Sequence, residues 1–332
     1  LLSLRRKGEK VMTGENRKWC SCVSLGCWAL PAFVVIVFLY SAVVHAGERV
    51  RRPAVAGYFY PLDQKGLRKT VDDFISNVKQ DQIPGKILGL MCPHAGYVFS
   101  GQVAAYSYRQ VMGRDYDTVV IIGPSHRVYL EGASVGTWDA YETPLGRVSV
   151  NKEIVSALLE MGEPFRFIER AHSSEHSVET QIPFLQRVLK GFDIVPIVMG
   201  IPSLRDCETV GKALARTVAQ RNVLFVASSD MSHYPNYADA KKVDGKTLSI
   251  IEQFDPELVF STAGEFLRKG IPNLSTTLCG LSSVVSVMMA VERCEASAVK
   301  VLHYANSGDV TIHGHRDKRR VVGYGAVAFY KK

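Results

Sequence analysis

The chain has 332 residues, 22% of them charged and 47% hydrophobic, with a formal net charge of +8. Nine Lys or Arg and three Glu fall within residues 1–52, so the remainder is nearly neutral. It shows no basic stripe with interleaved aromatics, which argues against a nucleic-acid partner. Seven cysteines at irregular spacing, with no CxxC pair, argue against a zinc knuckle or redox dithiol, and a domain of this length folds without disulfides.

Residues 1–24 are basic and polar. Residues 25–44, LGCWALPAFVVIVFLYSAVV, form an uncharged apolar run of 20 residues, long enough to cross a bilayer as a helix. Val44-His45-Ala46 before Gly47 has the small-x-Ala form of a signal-peptidase site. Residues 25–46 therefore read as a cleaved signal peptide or a retained membrane anchor. Basic residues before the run favour a domain exported or anchored outside the cytoplasm, although Arg49, Arg51 and Arg52 on the far side oppose that orientation. The alternative is a mis-assigned start, with Met12 as the initiator and the domain cytoplasmic. Any membrane contact would run through this segment alone.

From Pro53 the chain alternates between strand and helix patterns. PAVAGYFYP, residues 53–61, is an extended entry arm. Asp63 caps a helix over about 64–80, where Leu67, Val71, Phe74, Ile75 and Val78 recur at helical spacing. The strand KILGLMCPH, a helix over 101–112 and the strand TVVIIGPSH follow. ASVGTW and GRVSV read as short strands forming a hairpin around TPLG. Helices are expected over 152–161 and 178–190, then the strand DIVPIVMG, a helix over 203–219, and the strand NVLFVASSD. Two helices fill 237–268, another covers 281–292, and the strands VKVLHYANS and VGYGAVAFY close the chain. This alternation implies an α/β domain over residues 52–330, with a central mostly parallel or mixed sheet covered by helices on both faces.

Two apolar runs end alike, at Pro and then His: MCPH at His94 and GPSH at His126. Ligands of open α/β sheets sit beyond the strand carboxyl ends, so two histidines delivered there by consecutive strands suit a metal site. Asp230 and His233 in SSDMSH lie at the same kind of edge. They read as a general acid–base pair, as groups orienting the ligands, or, for Asp230, as a simple cap. His176 and Glu179 share a helix face by spacing, with His176 the better candidate and Glu175 and Glu179 serving the helix dipole. His172 reads as a solvated loop residue. Cys279 begins a helix, where a thiol has a lowered pKa and can serve as ligand or nucleophile, but spacing alone favours a small buried residue. Cys92 reads as packing, HGHRDK as an exposed loop, and Tyr97 and Tyr141 as pocket or core residues.

The ordered blocks CPHAGYVFSG, GPSH, TPLG, EHSVETQIPFL, SSDMSH and TLCG resemble the MEMO family, protein B of the AmmeMemoRadiSam system, from about Arg52 to Tyr330. That family is similar in fold to the class III extradiol ring-cleavage dioxygenases, which bind non-haem iron with two histidines and a glutamate. The resemblance implies metal ligands at His94, His126 and Cys279, the cysteine standing where the dioxygenases have a carboxylate. It implies an acid–base role for His233 with Asp230 beside it, and a further pocket position at His176. Iron(II) is the expected metal, with copper or zinc as alternatives. A thiolate is softer and oxidisable, so dioxygenase activity does not carry over with the fold. A small-molecule or peptide ligand is expected and, by family association, AMMECR-like and radical-SAM partner proteins. The leading apolar segment departs from the family pattern.

Three functions follow from these readings: a mononuclear non-haem metal enzyme of redox or oxygen-dependent type, a non-catalytic binding module using the same cleft, or a metal-dependent hydrolase.

Overall fold

A computed structural model describes residues 47–79 and 81–332, so the predicted signal or anchor segment lies outside the described residues. Among the described residues no helix is long and apolar enough to cross a membrane.

The apolar runs form an eight-stranded mixed sheet. Its members are β2 (Lys86–Cys92), β3 (Thr118–Pro124), β4 (Ala133–Val135), β7 (Phe165–Arg166), β8 (Asp193–Met199), β9 (Val223–Ser228), β10 (Ala298–Asn306) and β11 (Gly323–Lys331). Their order is β10-β11-β2-β9-β3-β8-β4-β7. The central four, β2, β9, β3 and β8, are parallel, while β11 runs against β2 and β4 against β8. Near-continuous Val, Ile and Leu in β3 and β9 suit strands buried on both faces, and every residue of both is buried. Each such side chain contributes on the order of 1.5–3 kcal/mol on burial.

Nine helices are seen among the described residues: α1 (Gln64–Asn77), α2 (Tyr97–Arg109), α3 (Lys152–Glu160), α4 (Glu169–Ser173), α5 (Ile182–Val188), α6 (Leu204–Thr217), α7 (Tyr237–Ile251), α8 (Pro256–Arg268) and α9 (Leu281–Arg293). They cover both faces of the sheet. Gly89 of β2 faces α9, where an added Cβ would come within 2.9 Å of Val291. Cys92, three residues on and so pointing the other way, sits against Ser107 and Tyr108 of α2. As the spacing predicts, Asp63 caps α1, its carboxylate accepting the Gly66 N–H at 2.7 Å, which is worth about 1 kcal/mol.

Three local expectations change. The hairpin around TPLG pairs β5 (Ala140–Thr143) with β6 (Gly146–Ser149), while ASV instead joins the main sheet beside β8. β1 (Val50–Arg51) adds a third strand to that small sheet. The helix expected from 101 begins at Tyr97, whose buried phenol donates to Thr180 O at 2.7 Å and so orders the first turn. The helix expected over 178–190 is shorter: Glu179–Gln181 form a 3-10 turn before α5. Both Glu179 and Gln181 are held there by bonds to other segments.

Candidate metal centre

β9 lies between β2 and β3, so three strand ends remote in sequence finish side by side. His94, His126 and Asp230 each come two residues past one of those ends. A ring nitrogen of His94, one of His126 and the Cys279 Sγ all lie within 4.8 Å of one another.

His94 is 1% exposed. Its backbone N–H donates to Asp230 Oδ1 at 2.8 Å, and its ring Nδ1 meets Ser228 Oγ at 2.8 Å. The Ser228 hydroxyl gives its single proton to Ser177 O at 2.6 Å and accepts from Gln181 Nε2 at 2.8 Å. Toward His94 it has only an acceptor left, so Nδ1 carries the ring proton and Nε2 the lone pair. That Nε2 is 3.2 Å from Cys279 Sγ. Burial, then the neighbouring imidazoles, hold the His94 pKa well below the ordinary value, so the ring is neutral.

His126 is oriented by Glu175. Oε1 of that carboxylate accepts from His126 Nδ1 at 2.9 Å and Oε2 from the His126 backbone N–H at 2.6 Å. Oε1 also takes the N–H groups of His176 and Ser177, at 2.8 and 2.9 Å. Burial alone would raise the Glu175 pKa, but the His126 hydrogen bond and the charges of His126 and His176 outweigh it and pull it down to about 2. An ionised carboxylate only accepts, so His126 also donates through Nδ1, and in its neutral form the ring has its lone pair on Nε2.

Cys279 arrives from the start of α9. Its Sγ accepts the Asp230 N–H at 3.2 Å, and its own N–H donates to Asp230 O at 3.2 Å. Gly280 permits this approach, since a Cβ there would fall 2.5 Å from Ser228 O. The expectation of a lowered thiol pKa is corrected: burial, then the nearby Asp230, push the Cys279 thiol up. Desolvation outweighs the backbone N–H groups that face the sulfur from Asp230 and Gly280.

A donor atom each of Asp230, His233 and Cys279 also lie within 4.8 Å of one another. Burial raises the Asp230 carboxyl to about 6, against the opposing bonds from the His94 and Ala95 N–H groups. Burial, then His126, lower His233 to about 4, and its buried Nε2 has no hydrogen-bond partner among the described residues. The His176 ring stacks on His126 with centroids 4.5 Å apart and packs on Phe59 at 4.7 Å. Burial lowers His176 to about 4 against the opposing charge of Glu175. Its Nδ1 is 3.3 Å from Glu175 Oε1 without hydrogen-bonding geometry.

Other residues are placed differently from expectation. His172 is buried rather than solvated, bonded to Ser134 Oγ at 3.0 Å and Tyr141 OH at 3.1 Å. Glu175 and Glu179 are not helix-dipole residues: Glu175 serves His126, and buried Glu179 pairs with Arg51 and accepts from Ala54 N, Val55 N and Tyr60 OH. Tyr97 and Tyr141 belong to the core. Cys92 is buried in packing, and His313 and His315 are exposed. The orienting residues Glu175, Ser228 and Gln181 were missed. Only the adjacency of Glu175 to His176, and the position of Ser228 two residues before Asp230, hint at them.

Two imidazole lone pairs and a sulfur within reach of one point form a donor set that suits iron, copper or zinc. Each imidazole is fixed through its other nitrogen, the usual arrangement around a metal-ligating histidine.

A family model described as Memo-like protein matches residues 51–328. A MEMO1 family protein of Nitrosopumilus maritimus is 35% identical over 287 residues, covering 84% of this chain and 99% of the relative. One from Methanosarcina mazei is 36% identical over 282 residues, covering 84% and 98%. An uncharacterized Escherichia coli K12 protein of known structure is 13% identical with a TM-score of 0.47, covering 72% of this chain and 99% of its own. On the family model and these relatives, the chain belongs to the MEMO family.

Proposed function

We propose that the cleft is a mononuclear non-haem metal centre, with iron(II) the favoured ion, held by His94, His126 and Cys279 in a fold of the class III extradiol type. The observation that carries this reading is the pair of tautomers. Ser228 and Glu175 take the Nδ1 protons of the two rings, leaving both Nε2 lone pairs for a cation beside the sulfur. When bound, such an ion supplies redox or oxygen-dependent chemistry to a small substrate. The protein's own part is to hold, exclude and exchange protons. Buried Asp230 clamps the His94 backbone and the Cys279 loop, so it fixes the distance between two ligands. In this reading His233 takes or gives a proton near the sulfur and Asp230, which its buried Nε2, without a hydrogen-bond partner among the described residues, supports. His176 stacks on His126 and Phe59 packs on His176, which steadies the His126 ring at the exposed edge of the site.

The test is elemental analysis after anaerobic purification, with wild type beside His94→Ala and Cys279→Ser. About one metal per chain in wild type, lost in His94→Ala with the fold intact, supports the centre. A correctly folded wild type that takes up neither iron, copper nor zinc overturns it and leaves the cleft as a ligand-binding module.

A further inference from the structure

A cleft opens beside this centre, with a volume of about 550 Å³, within the range of small-molecule sites. Its walls are Phe99 from α2, Val310 and Ile312 from the loop after β10, and Val322 and Tyr324 at the start of β11. The register places it at the carboxyl end of β2, the edge that carries His94. Val327 pairs with Met91 and Lys331 with Lys86, so β11 begins where β2 ends, and Asn306 at the end of β10 pairs with Gly323.

Three links join the cleft to the candidate centre. Ala95, which lines it, follows His94 and sends its N–H to Asp230 Oδ1 at 3.3 Å. Val322 bridges His233 in antiparallel pairing. Arg320 lies over the Tyr234 ring, 4.8 Å from its centroid, and that ring meets the His233 ring edge-on at 5.5 Å. Tyr234 itself has φ +71, a backbone state that bulky residues rarely adopt. This backbone conformation is offset by the contacts that set the aromatic ring between Arg320 and His233.

Charge defines the ligand. Arg320 is exposed and, among the described residues, has no carboxylate within salt-bridge distance. Asp317 also lines the cleft, but its carboxylate is taken by Arg319 at 2.9 Å. His315 adds a further nitrogen donor to the lining. A guanidinium at the rim of an apolar wall favours a ligand with one apolar end and one anionic end.

We propose that this cleft binds a small amphiphilic carboxylate, its apolar body against Phe99, Val310, Ile312 and Val322 and its carboxylate on Arg320. As the substrate site it rests on the proposed metal centre; as a binding site it stands without it. Calorimetric titration of the full chain with hydrocinnamate, isocaproate and the neutral hydrocinnamyl alcohol tests it. Saturable binding of at least one carboxylate is expected, weakened by about tenfold or more in Arg320→Gln and in Ile312→Asp, with the alcohol weaker by a similar factor. His94→Ala, which removes a proposed metal ligand, is expected to keep the carboxylate affinity, so failure of the metal reading and failure of this one are told apart. No saturable binding of either carboxylate overturns the proposal, as does equal affinity for acid and alcohol, or wild-type affinity in Arg320→Gln.

Discussion

Replacing Glu175 by Gln keeps the shape of the side chain and removes its charge. Four N–H groups converge on that carboxylate: the ring Nδ1 and backbone of His126, and the backbones of His176 and Ser177. An amide has one acceptor oxygen. With that oxygen in the Oε1 position three bonds survive without charge assistance, and the NH2 faces the His126 backbone N–H. With the amide reversed, three donors face it. The first arrangement costs about 1–3 kcal/mol of stability for the opposed donor. It also loosens the Nδ1 proton that directs the His126 lone pair. Loss of such an orienting partner lowers metal affinity about 10–100-fold, which corresponds to roughly 1.4–2.8 kcal/mol. The assay is anaerobic iron(II) competition against a chelator, with circular dichroism verifying that both proteins are folded. Wild-type affinity in a folded Glu175→Gln variant refutes the assignment of Glu175 as the residue that sets the His126 tautomer.

Arg51→Met leaves the Glu179 carboxylate buried without its ion pair and frees the His172 and Glu175 carbonyls that the guanidinium now holds. About 3–5 kcal/mol of stability is expected to disappear in denaturant titration, and a change under about 1 kcal/mol would argue against the buried pair. His172 is pushed down to about 3 by burial and then by Arg51, whereas a free histidine titrates near 6.5. Its neutral form is the folded one, so stability is full above about pH 6.5 and declines as pH falls toward 3, by up to about 1.4 kcal/mol per pH unit. His172→Gln should flatten that limb relative to wild type, and an unchanged slope would refute the burial argument. Gly280→Ala drives a Cβ against Ser228 O and Ser229, so a loss of about 1–3 kcal/mol is expected together with reduced metal uptake. Full occupancy at wild-type stability would contradict the tight approach of Cys279 to β9.

Much of this arrangement was legible in the chain. The runs ending at His94 and His126 are buried parallel strands, and both histidines stand just past the strand ends as the pattern implied. That β9 would lie between them was not legible, because strand order is decided by helix packing across the sheet rather than by any local period. Cys279 shows the same limit. Its spacing favours a packing residue over a ligand, and only the family resemblance brings it to the histidines. Glu175 and Glu179 looked alike, as acidic residues entering a helix. One is turned to His126 and the other to Arg51 by contacts more than 45 residues away in sequence. His172 looked solvated because its neighbours are polar, but Ser134 and Tyr141 from other segments enclose it. Polar residues buried through long-range hydrogen bonds carry no apolar period, and the orienting shell consists of such residues.

The most direct test is X-ray absorption at the metal edge of anaerobically iron-loaded protein, wild type beside Cys279→Ser. A shell of imidazole nitrogens with one sulfur in wild type, and the loss of that sulfur in the variant, is the predicted result. A wild-type shell of nitrogen and oxygen alone would contradict a centre that includes Cys279.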